Sequence, residues 1–93
     1  MSKIPVSPQK ALGLRVKELR SEKSITQEEL AERCGVFRTY MSRIESGLAN
    51  PTLTVLYTLA DAFEVPIADL FTPAQLARGK VHARQPISRG RVR

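Results

Sequence analysis

Residues 26–47, TQEELAERCGVFRTYMSRIESG, leave this chain few ways to fold. Thr26 stands where a helix N-cap belongs, and Glu29 follows at the spacing of a reciprocal capping box. A helix is therefore expected to begin at Gln27. Leu30 and Ala31 are its inward positions, while Glu28, Glu29, Glu32 and Arg33 are left for water. Gly35 can adopt the left-handed conformation that ends a helix and turns the chain sharply. A second helix is expected from about Arg38 to Ser46.

At about 100° per residue, Tyr40, Met41 and Ile44 share one side of the second helix. Arg38, Thr39, Ser42 and Arg43 share the other, and every one of them can form hydrogen bonds. Arginine forks to guanine in the major groove, and Ser or Thr bonds a base edge or a phosphate. A helix carrying that face outward from a compact body is suited to reading DNA. The bland alternative is a solvated polar face.

The stretch resembles the helix-turn-helix of the lambda-repressor/Cro-type regulators. The matching residues are Gln27, Ala31, Gly35, Met41 and Ile44, and the likeness continues through ESGLANPT to Leu53, Leu56, Leu59 and Ala60. It covers roughly residues 11 to 71. RTYMSRIESGLANPT is also similar to the subset that includes restriction–modification controller proteins. The resemblance implies an all-α, compact five-helix DNA-binding domain. It implies base reading by Arg38 and Thr39, then Arg43, with Ser42 at a base, a phosphate or water. It implies a phosphate contact and a bracing role for Gln27, whose place at a helix start also favours an anion. Finally, it implies an ion pair between Arg20 and Glu45 that fixes the third helix on the first.

The remaining chain fits this frame. Residues 1–7 form an N-terminal arm, and Ser7-Pro8 is a sound start for a helix reaching about Lys23, with Leu12, Val16 and Leu19 at helical spacing. Ile25 closes the core. Residues 47–51 make a loop, and Thr52 is the N-cap of a fourth helix, TLTVLYTLADAFE. Asn50 and Thr52, with Leu48 and Ala49 beside them, are expected along the DNA backbone. Tyr40 either directs its hydroxyl at a phosphate or simply fills space.

The fourth helix has apolar residues over an arc of roughly 220°, against roughly 100° for an ordinary surface helix. A short fifth helix, Ile67 to Phe71, adds more apolar surface. The surplus predicts a homodimer through helices 4 and 5, with Val65, Ile67, Leu70 and Phe71 at the seam. The alternative is a fourth helix that is simply central. Pairing also makes energetic sense, since one reading helix offers only about 1–3 kcal/mol per base contact.

The chain has 93 residues, enough for one domain of modest core (residues 8–72). Its net charge of +6 is unevenly placed. Residues 1–71 balance nine Lys/Arg against nine Asp/Glu. Arg78, Lys80, Arg84, Arg89, Arg91 and Arg93 therefore carry the whole excess. Residues 73–93 are a basic tail: 73–80 could extend helix 5 by a turn or two, 81–93, without apolar period, are expected to be disordered when free, and the tail is expected to touch phosphate rather than merely aid solubility.

A single cysteine, Cys34, excludes an internal disulfide and is expected to fill a core gap. His82 has no partners at metal-ligand spacing, and no nucleophile motif or phosphate-binding glycine loop is present. Adjacent Glu28 and Glu29 suit a helix first turn better than a catalytic pair. Neither enzyme, metal nor cofactor is expected. No signal peptide and no membrane-length apolar run is seen, so a cytoplasmic, nucleoid-associated protein is expected.

Two departures from the family pattern stand out. Phe37 occupies a position where relatives place a capping Ser, Thr or Asp. Its ring either packs back on the body, the preferred account, or faces the groove against a thymine methyl. Ser46 replaces a common basic residue, which removes a phosphate contact. The expected function is a homodimeric transcriptional regulator that places helix 3 in the major groove of a palindromic operator, with RNA polymerase a further candidate partner. The alternative is an antitoxin or protein-interaction module with secondary DNA binding, disfavoured because the tail offers only Val81, Ile87 and Val92 as apolar anchors.

Overall fold

The computed structural model describes residues 7–72; the arm at residues 1–6 and the basic tail at 73–93 lie outside the described part. Four α-helices follow in order: α1 (Pro8–Lys23), α2 (Gln27–Cys34), α3 (Arg38–Ser46) and α4 (Leu53–Phe63). The segment expected as a fifth helix is a 3-10 helix, Ile67–Phe71, one and a half turns long. The five-helix description is therefore corrected to four α-helices and a 3-10 helix. Five residues with Pro66 ahead of them leave little room for i→i+4 bonding, and the tighter i→i+3 pattern suits short connections. No strand occurs among the described residues.

Side chains cap three of the four α-helices at their N-termini. Ser7 Oγ accepts from the Lys10 amide at 3.0 Å, with Pro8 in the first turn, where its missing N–H costs nothing. Thr26 and Glu29 form the full capping box: Thr26 Oγ1 accepts from the Glu29 amide (3.0 Å) and Glu29 Oε1 from the Thr26 amide (2.9 Å). Thr52 Oγ1 accepts from the Val55 amide. At the C-termini, Gly35 turns the chain with φ 70°, and a Cβ there would meet nothing within 4 Å. Its role is conformational, not steric.

One continuous core joins all five elements. Leu12, Val16 and Leu19 of α1 meet Leu30, Ala31, Met41, Ile44, Leu59, Ala60 and Phe63, with Ile25 closing one end as its apolar position suggested. Leu70 is wholly buried in this core. It therefore cannot be part of an intersubunit seam, as its place beside Phe71 had suggested. The 3-10 helix sets the two neighbours about 120° apart, so Leu70 points in and Phe71 points out. Arg15 secures this segment: its side chain is buried, and its Nε donates to the Asp69 carbonyl at 2.6 Å while a second nitrogen reaches Glu18. Val65 and Ile67 are half-buried, whereas Leu53, Tyr57 and Phe71 remain exposed. The apolar excess of α4 is thus partly absorbed by the protomer itself.

Candidate nucleic-acid interface

What α3 can do depends on how firmly it is held. Its inner side buries Met41, Ile44 and the carboxylate of Glu45. Behind it, α1 passes so close at Gly13 that an added Cβ would lie 2.5 Å from the Glu45 carbonyl oxygen and 2.6 Å from that of Ile44. Backbone meets backbone here, with no layer of side chains between. Gly13 was not singled out by periodicity, although a glycine inside a strong helical pattern, costing about 1 kcal/mol against alanine, is itself a sign of close approach.

Glu45 is the hub that ties three elements together. Its side chain is only 2% exposed, and it receives Arg20 Nε on Oε2 (2.6 Å) and a second Arg20 nitrogen on Oε1 (3.0 Å). The ion pair that the family resemblance implied is thus present, and it is bidentate. The Gln27 amide adds a third bond to Oε1 at 3.1 Å. Arg20 also donates to the Ile25 carbonyl at 3.0 Å, which fixes the turn between α1 and α2. The hydrogen bond with Glu45 raises the Arg20 pKa above its ordinary value, against the opposing effect of burial. Gln27 is thus a brace for α3. Its amide nitrogen carries two hydrogens, so the bond to Glu45 leaves one available at the start of α2.

The outer side of α3 presents Arg38 and Thr39 to solvent, with Ser42 half-exposed beside them. Arg43 is exposed but not idle: a guanidinium nitrogen donates to the Leu48 carbonyl at 3.0 Å and holds the loop after α3. Ser46 turns its hydroxyl back to the Ser42 carbonyl at 2.8 Å. Tyr40 is half-buried and packs against the core. Asn50 and Thr52 stand exposed on the following loop, whereas Ala49, expected to lie along the DNA backbone, is buried in the core. Having accepted from Val55, the Thr52 hydroxyl still has its own proton to donate.

Phe37 overturns one expectation. It is the N-cap of α3, makes no side-chain capping bond, and is 83% exposed. The ring does not pack back on the body. A residue without a polar side chain at this position forgoes about 1 kcal/mol of capping stabilisation. Cys34 is half-buried against the core, and burial pushes its thiol pKa up, away from reactive thiolate character. Among the described residues no group of His, Cys, Asp or Glu is placed to hold a metal, and no helix is long and apolar enough to cross a membrane.

This arrangement, a short capped helix, a glycine turn and an outward polar helix on a small helical body, is that of a helix-turn-helix protein. The helix-turn-helix family model matches residues 16–70, and the chain belongs to this Cro/lambda-repressor-type family of transcriptional regulators, not to an enzyme family. It is 44% identical over 64 residues to an uncharacterized HTH-type transcriptional regulator of Sinorhizobium fredii, covering 69% of this chain and 83% of that one. Among solved structures it is similar to the restriction-modification controller protein C.AhdI from Aeromonas hydrophila. That match has 35% identity and a TM-score of 0.66, and covers 68% of this chain and 96% of that one. It is also similar to SinR, a master regulator for biofilm formation solved in complex with DNA. There the identity is 37% and the TM-score 0.60, over 63% of this chain and 95% of that one.

Proposed function

We propose that this chain is a sequence-specific transcriptional regulator that binds a palindromic operator as a homodimer and places one α3 helix in the major groove of each half-site. The observation that supports it best is the division of α3 into two sides. The inner side is locked by Gly13, Arg20 and Gln27, and the outer side holds Arg38 and Thr39 free in solvent. Arg38 and Thr39 are the principal base readers. Arg43 joins them once its guanidinium exchanges or shares the Leu48 carbonyl, and Ser42 contacts a base edge or a phosphate. Gln27 uses its remaining amide hydrogen on a backbone phosphate, with Asn50, the Thr52 hydroxyl and the Tyr40 hydroxyl along the same strand. The resemblance to SinR, solved with DNA, favours this assignment.

The two subunits meet through the end of α4 and the 3-10 helix, with Phe71 exposed and Val65 and Ile67 half-exposed at the seam. Twofold pairing sets the reading helices about 34 Å apart, one duplex turn. The six basic residues after position 71 add sequence-independent attraction to phosphate. Selection of binding sites from random duplexes tests the whole scheme: an inverted repeat should be enriched. Arg38→Ala should cost about 1–3 kcal/mol per half-site and relax one base position. A pool that stays random would end the proposal, and unchanged selectivity would remove Arg38 from the readers.

A further inference from the structure

We propose that Phe37 reads the C5-methyl group of a thymine at the operator position next to the base contacted by Arg38. The inference rests on the placement of α3 in the major groove given above, and it adds a contact that hydrogen-bonding chemistry does not supply. Three observations carry it. The ring is 83% exposed, so it contributes almost nothing to the protomer's core. It occupies the N-cap of α3 without a capping bond, so the position also forgoes a stabilisation that serine or threonine would provide. And it directly precedes Arg38, at the end of the helix whose first residues reach base edges when such a helix enters the groove. An exposed phenyl ring at that end has one apolar feature available to it on the floor of the groove, the thymine methyl.

The neighbourhood argues against a protein partner for this ring. Val36 is half-buried in the core, and the cleft running back from Phe37 along α2 is lined by Glu28, Glu29 and Glu32. Besides the ring, only Ala31 and Val36 are apolar in that cleft, and Thr26 and Arg38 complete its polar lining. It falls far short of the several hundred Å² of contiguous apolar surface that marks a protein-binding patch.

The test uses the full-length protein and its selected operator. Each thymine in the half-sites is replaced in turn by deoxyuridine, which keeps every hydrogen-bonding group and lacks only the methyl. Wild-type affinity should fall about fourfold per half-site at one thymine and stay level at the others. Phe37→Ser should bind thymine and deoxyuridine equally at that position while melting at a higher temperature, because serine restores the cap. Phe37→Leu should retain part of the sensitivity. If the wild type still prefers its operator but ignores every replacement, or if Phe37→Ser keeps the sensitivity, Phe37 is not the reader and the regulator assignment stands. If no operator can be selected at all, both assignments fall together.

Discussion

Removing Arg20 should cripple the fold out of proportion to a single surface charge. Arg20→Ala deletes two charge-assisted bonds to Glu45 and the bond to the Ile25 carbonyl. It leaves a carboxylate that is 2% exposed with only the Gln27 amide as donor. Stranding one partner of a fully buried pair costs about 3–5 kcal/mol. Because the Arg20 side chain is itself 21% exposed, water can enter part of the vacated space, which lowers the expectation to about 2–4 kcal/mol. A domain of this size has about 5–14 kcal/mol in total, so the variant should be marginal. In urea, with a slope of about 1 kcal/mol per molar, the midpoint should drop by about 2–4 M at unchanged slope. Arg20→Lys should fall between, since an ammonium cannot reproduce the bidentate fork. A loss below about 1 kcal/mol for Arg20→Ala would put the pair among solvated surface bridges and refute the idea that Glu45 is the hub.

Three further outcomes are expected. Gly13→Ala should destabilise despite alanine's better helix propensity, because its methyl would drive α1 off the α3 carbonyls, whereas a more stable variant would mean that the two backbones do not meet there. Glu64→Gly should raise the melting temperature, since Glu64 ends α4 with φ 60°, a conformation that costs a residue with a Cβ about 1–2 kcal/mol; an unchanged or lower value would deny the strain. The third concerns pH. The Thr26 backbone N–H, more than any other contact, holds the Glu29 carboxyl below its ordinary pKa. Its contribution to stability should be complete above the ordinary carboxylate range and fade as pH falls through the depressed value. The stability gap between wild type and Glu29→Gln should therefore narrow on acidification, and a gap that stayed constant would remove Glu29 from the cap.

Sequence spacing revealed the elements that depend on local chemistry. Ser7, Thr26 and Thr52 marked helix starts because a cap is a contact within four residues, and Leu12, Val16 and Leu19 marked the inner face of α1 because burial repeats at helical period. The Arg20–Glu45 pair lies 25 residues apart and was legible only through family resemblance. The long-range role of Arg15 is hidden in the sequence because its distant partner is a backbone carbonyl, that of Asp69, which no side-chain pattern can announce. Leu70 and Phe71 look alike in the sequence because two adjacent apolar residues carry no period that separates inside from outside. The outward ring of Phe37 is hidden for a related reason: a cap residue lies outside the helical repeat, so its ring direction cannot be read from phase. The outward set on α3 was legible, and the bonds of Gln27 and Arg43 within the protomer were not.

The contact between α1 and α3 at Gly13 has an evolutionary consequence. With the rear of the probe held by Met41, Ile44 and Glu45 and by the close approach of α1 at Gly13, the side chains on its front are left without duties in folding, apart from the tie between Arg43 and Leu48. Such a front can be rewritten by point mutation and acquire a new target while the scaffold stays intact.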